Sequence, residues 1–182
     1  ANLSLGSYYY SQPVADAVHY AIEQGVTVVA AAGNSHVQSL FYPAGFPGVI
    51  AVAATDPQDK KWNYSSTGEH ISVAAPGDRI WSTVPSGLGS GYARLSGTSM
   101  AAPHVSGAVA LLKEARPGLS PAEIERLLEE TADPGPGPVP NRELGYGRIN
   151  VARALGLEDF PLDVGSIAVT AYDQSGKEIY SA

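Results

Sequence analysis

Apolar and polar positions alternate along this chain in two rhythms, and the places where the rhythm changes mark its elements. Residues 26–32, with Thr27 the one polar position, and 49–54 are apolar on both faces, the pattern of strands buried in a parallel sheet. Ahead of them, Val14, Ala17, Val18, Ala21 and Ile22 recur at helical spacing, with Pro13 in the first turn and Gly25 at the end, which predicts a helix over 13–24. Residues 2–5 read as a short strand. Strand, helix, strand, loop, strand is the order of an α/β sheet with crossover helices. From 56 to 91 the pattern breaks into short strands and turns, with 71–74 and 80–84 the best candidates there and 92–95 directly after. Ser120-Pro121-Ala122-Glu123 then starts a helix with a cap, a first-turn proline and an acid, leading to Ile124, Leu127 and Leu128. Residues 134–140 form a surface loop. At the end, 164–170 and 178–181 read as two strands joined by the turn Asp173-Gln174-Ser175-Gly176. The expected fold class is α/β with a mostly parallel sheet, plus a short C-terminal β segment.

The stretch 95–112, LSGTSMAAPHVSGAVALL, carries the clearest chemistry. Gly97 permits a sharp turn, Thr98 or Ser99 supplies a hydroxyl cap, and Pro103 falls early in the helix, where a missing N–H costs least. Small residues on nearly every face predict a helix buried in the middle of a domain. A hydroxyl at its entrance lies in the positive field of the helix dipole, a good place for a nucleophilic serine. A capping role alone would explain Ser99 equally well.

Composition narrows the function. The chain has 182 residues and a formal net charge of -7, with no run of Lys or Arg, which argues against nucleic acid or anionic membrane as partner. No apolar run approaches membrane-spanning length. With no cysteine, disulfides and thiolate metal sites are excluded. The acidic residues are scattered without the spacing of a calcium loop, so no metal site is predicted.

GTSMAAPHVSGAVALL closely resembles the nucleophile segment of the subtilisin-like serine proteases, the subtilase family. Ser4-Leu5-Gly6, Ala30-Ala31-Ala32-Gly33-Asn34 and the closing Gly145-Tyr146-Gly147-Arg148-Ile149-Asn150 support it in the same order, so the resemblance runs to about Leu155. It implies part of a three-layer subtilisin-like fold over 1–156, with 157–182 a linker and the start of a β-rich appendage. It further implies a serine endopeptidase acting through an acyl-enzyme, with Ser99 as nucleophile and the side chain of Asn34 in the oxyanion hole. Ser4, Leu5 and Gly6 on one side, Ala31, Ala32 and Gly33 on the other, would flank the peptide, with Thr98 beside the nucleophile also counted among the substrate-binding residues. Phe41 falls near the floor of the specificity pocket. A peptide or protein is then the substrate, an extracellular place of work follows, and no cofactor is needed for the chemistry. Structural calcium is conceivable in a full-length enzyme, and carbonyls around 44–49 could hold a weak cation.

The general base is harder to find. His104, five residues after Ser99, points roughly 140° away on a shared helix and reads as a buried structural residue. His19 lies on a polar helix face, His70 precedes a strand, and His36 is near Asn34 without an aspartate to orient it. In subtilases the order is Asp, His, Ser, and no candidate for the first two precedes Ser4. The expectation is therefore a C-terminal portion whose N-terminal half, carrying Asp and His, is a missing partner. Alone it should be inactive, with one sheet edge and one helix face uncovered, and prone to dimerise there. Two other classes compete. A non-catalytic binding domain of the same fold would have no need for both Ser99 and Asn34. A serine esterase of the α/β-hydrolase type wants glycine where Ala101 stands.

Overall fold

A computed structural model describes residues 1–85, 87, 91–157, 170–172 and 178–181. Four parallel strands make the central sheet in the order β1 (Asn2–Leu3), β2 (Val28–Ala31), β3 (Val49–Thr55) and β4 (Val73–Pro76). Helix α1 (Gln12–Glu23) crosses between β1 and β2. Beyond the sheet come the antiparallel pair β5 (Ile80–Thr83) and β6 (Tyr92–Leu95), then α2 (Thr98–Ala115), α3 (Pro121–Glu130) and α4 (Val151–Leu155). Strands β7 (Thr170–Tyr172) and β8 (Glu178–Ser181) pair antiparallel at the end. The mixed α/β class with a mostly parallel sheet is thus as expected. Residues 164–169 and the turn 173–176 lie outside the described residues, as do most of 157–182.

Because β2 and β3 alternate sides every residue, their uninterrupted apolar runs feed two cores at once. Val29, Ala31, Ile50, Val52 and Ala54 face α2, α3 and α4, where they meet Ala101, Val105, Ala108, Leu112, Ile124 and Leu128. Val28, Ala30, Val49 and Ala51 face the other way, onto Val18 of α1 and Phe46. Helix, sheet and helices form three layers. Within α1 the buried stripe is rotated from the expected one: Ala15, Val18, Ala21 and Ile22 pack on the sheet, while Val14 and Ala17 are exposed. The start of α3 is as predicted, with Ser120 and Glu123 in a reciprocal capping box.

Two expectations about α2 fail. It is not buried all round: Pro103, His104, Gly107, Ala110 and Leu111 are exposed, because α2 lies against the sheet with one side only and no described element crosses the other. His104 is therefore a surface residue, its Nδ1 donating to the Met100 carbonyl at 2.8 Å. Among the described residues, no helix is long and apolar enough to cross a membrane.

The loop carrying Gly145 and Gly147 is pressed onto β4: Tyr146 N donates to Ser72 O (3.0 Å) and Ala74 N to Gly147 O (2.8 Å). Gly145 has φ +60°, and a Cβ there would meet the Ser72 carbonyl oxygen and, at 2.5 Å, that of Ile71. Gly145→Ala should cost about 3 kcal/mol of stability, read as a lowered midpoint in chemical denaturation, since backbone rather than a flexible side chain must yield.

On α3, burial, then the nearby carboxylates of Glu125 and Glu130, raise the Glu129 carboxyl to about 7. Its folded value thus lies above the unfolded one, so the stability it contributes is complete below about pH 4.5 and is lost as pH rises through 7. Glu129→Gln should match the parent in thermal midpoint near pH 4.5 and exceed it at pH 8.

Candidate active site

Helix α2 begins where the carboxyl ends of β1 and β2 point, the edge at which parallel α/β sheets assemble their sites. Its entrance differs from the sequence expectation. The N-cap is Gly97, without a side-chain cap, and neither Thr98 nor Ser99 caps the helix. The Thr98 hydroxyl is turned instead toward the end of β2, where Oγ1 accepts from Gly33 N at 3.1 Å and donates to Asn34 Oδ1 at 2.9 Å. Asn34 Oδ1 also accepts from Thr98 N at 2.8 Å. With its oxygen occupied twice, the Asn34 amide has one orientation available, and among the described residues nothing accepts from Nδ2. Asn34 is exposed, Thr98 fully buried and Ser99 half-buried.

Ser99 follows Thr98 at the second helical position. No acid lies in the first turn to neutralise the dipole, and no described group accepts from Ser99 N–H. Among the described residues the hydroxyl donates only to Ser4 O, at a long 3.4 Å. None of the four histidines touches it. His19 pairs with Glu23 at 3.1 Å, His36 is bonded through Nδ1 to Asn63 O, and His104 faces away. His70 is half-buried, its Nε2 has no partner among the described residues, and burial lowers its pKa.

Pro103 is the sixth residue of α2, past the first turn, so its missing N–H is not free of consequence as the sequence suggested. The Ser99 carbonyl loses its helical donor, and Ser4 Oγ supplies one at 2.9 Å. Ser4 is thus joined to Ser99 in both directions.

The flanking segments lie on either side of this point. Ser4, Leu5 and Gly6 leave β1 with Leu5 exposed, while Ala31 and Ala32 are buried in the core and have only main chain to offer a ligand. Between the two segments sits the Phe41 ring. A Cβ on Gly6 would overlap Phe41 Cε1, and one on Gly33 would come within 3.1 Å of Phe41 Cγ. Tyr8, not anticipated from sequence, packs edge-on against Phe41 with ring centroids 5.0 Å apart. Its hydroxyl lies 3.5 Å from Ser66 Oγ, which also accepts from Ser35 N at 3.3 Å. No local signal marks Tyr8 or Ser66, because both contacts join distant parts of the chain.

Nearby, the Lys61 ammonium donates to three carbonyls, Trp62 (3.2 Å), Ser65 (3.4 Å) and Asn63 (3.5 Å), and burial lowers its pKa against the raising influence of Glu143. Segment 44–49 brings no carboxylate, so a cation there would have main-chain carbonyls alone as protein ligands. Among the described residues no three His, Asp or Glu side chains converge as metal ligands would.

Known proteins resemble this chain in sequence and in fold. The profile of peptidase family S8, the subtilase family, matches residues 1–147. Subtilisin BL of Lederbergia lenta is 46% identical over 132 residues, which is 72% of this chain and 48% of that protein. The thermophilic serine proteinase of Bacillus sp. (strain AK1) is 44% identical over 154 residues, 85% of this chain and 37% of its own. Among solved structures, a protease of Pseudoalteromonas arctica PAMC 21717 superposes with a TM-score of 0.77 at 34% identity, over 85% of this chain and 50% of that one. This chain therefore spans about half the length of subtilisin BL and less of the longer relative. By its sequence over most of its length, and by its fold, it belongs to the subtilase family of serine proteases.

Proposed function

We propose that this chain supplies the nucleophile and the oxyanion donors of a subtilisin-type serine endopeptidase. The observation that carries the reading is the Asn34 amide, fixed through its oxygen by Thr98 and placed one residue from Ser99 with its N–H₂ unengaged. A peptide carbonyl lying between Ser99 Oγ and Asn34 Nδ2 would be attacked at carbon by the first, and the negative charge developing on its oxygen would be stabilised by a hydrogen bond from the second. The Ser99 N–H and the positive end of α2 would add to that stabilisation. As the ester to Ser99 forms, the C–N bond breaks and the amine part leaves with the proton that the base took from the hydroxyl; water later releases the acyl part as a carboxylic acid and restores Ser99. Secretion and a peptide or protein substrate go with this reading.

The proton of Ser99 needs an acceptor. None of the histidines in this chain lies within reach of it, so we assign the base and its orienting aspartate to a part of the protein outside this span. That same observation favours a second reading, a non-catalytic domain that keeps the fold and binds peptides without cutting them. Labelling separates them. The segment alone should react with neither a fluorophosphonate probe nor a fluorogenic peptide, whereas full-length protein should label stoichiometrically at Ser99 and lose the label in Ser99→Ala. Absence of labelling in the full-length protein would favour the binding domain. In that protein Asn34→Ala should lower kcat by about 10²–10³, a figure carried over from removal of the equivalent donor in subtilisin.

Phe41, lying between Gly6 and Gly33, shortens the pocket that would hold the side chain before the cut bond. Small residues should then be preferred there. Phe41→Gly should raise the ratio of kcat/KM for Phe over Ala substrates by about tenfold or more, as expected when a pocket gains room for a ring.

A further inference from the structure

Asn2 and Ser4 lie on one side of the chain leaving the sheet, two residues apart, with Leu3 turned to the opposite core. Their side chains connect to α2 at two points. Ser106 Oγ donates to Asn2 Oδ1 at 2.9 Å, Asn2 Nδ2 donates to Ser4 Oγ at 3.0 Å, and Ser4 Oγ donates to Ser99 O at 2.9 Å. Ser99 and Ser106 stand two turns apart on the same flank of the helix. Among the described residues each acceptor in the series has one donor, and with Ser4 Oγ accepting from Asn2 its hydrogen is directed at Ser99 O. That oxygen belongs to the carbonyl which Pro103 leaves without its helical partner.

We propose that Ser106, Asn2 and Ser4 form a positioning relay for the nucleophile, with Ser4 Oγ its working end. This rests on the serine-protease reading above and adds to it a function for the Ser4 side chain, separate from any main-chain contact that segment makes with a peptide. Thr98 ties the helix entrance to the end of β2, and Ser4 ties the next residue to the end of β1. Between those attachments the Ser99 backbone cannot rock about the helix axis, so the distance from Ser99 Oγ to the Asn34 amide is held. Catalytic rates respond steeply to such small displacements.

The test uses full-length protein with active sites titrated by a fluorophosphonate, so that kcat is expressed per reactive serine. Ser4→Ala should lower kcat about tenfold with KM within twofold of the parent. Ser4→Thr, which keeps the hydroxyl, should recover most of the loss. Asn2→Ala should cost about threefold, and adding it to Ser4→Ala should cost nothing more, since both remove the same restraint. Three results would overturn the relay while leaving the protease reading intact. They are an unchanged kcat in Ser4→Ala, a raised KM at constant kcat, and no recovery in Ser4→Thr when the variants melt together. A parent that neither titrates nor cleaves would overturn the protease reading and the relay with it.

Discussion

Thr98 Oγ1 takes a hydrogen from Gly33 N and gives its own to Asn34 Oδ1, and this doubly engaged, fully buried hydroxyl fastens the entrance of α2 to the end of β2. Were Thr98 merely a cap, the helix could approach the sheet at many angles. Engaged in this way it admits one. The Asn34 oxygen is then occupied, its N–H₂ is left facing outward, and Ser99 arrives beside it on the next residue. Helix dipole, free N–H and side-chain amide all meet at that place because a single short polar side chain is satisfied inside the fold.

The sheet makes this possible by being finished before the site begins. Small side chains on β2 and β3 and on the sheet-facing side of α2 let helix and sheet approach closely, and the same alternation that buries Val29 and Ala31 toward α2 buries Val28 and Ala30 toward α1. A layered core then presents Asn34 and Ser99 at its carboxyl edge. The rings of Phe41 and Tyr8 stand on that edge between its two flanking segments. Differences in what such a site accepts can therefore come from loop residues without disturbing the core.

Much of the frame was legible in the sequence, since unbroken apolar runs, a capping box and a proline-led helix are all local patterns. β4 was read two residues early because Ile71 is as apolar as the strand it precedes, and pairing with β3 alone decides where the ladder starts. The stripe of α1 was misjudged for a related reason: Val14 and Ala15 are both apolar, and only the sheet beneath selects between them. His104 looked buried because its neighbours are small, yet small residues permit close packing without requiring it. At the site, Ser99 and Asn34 stood out through the resemblance of their surroundings. The bonds that orient them did not, since Thr98 with Asn34 and Ser4 with Ser99 join residues 64 and 95 positions apart.

That separation bears on how the molecule comes into being. Bonds between residues 2 and 106, or 4 and 99, close loops across 104 and 95 positions, and contacts of such long range form late because their entropy must be met by structure already in place. The setting of Ser99, held between β1 and β2, is accordingly a property of the finished molecule. A ribosome-bound or half-collapsed chain would hold that serine on a helix that has not yet found its strand, with neither Thr98 nor Ser4 in place to fix it.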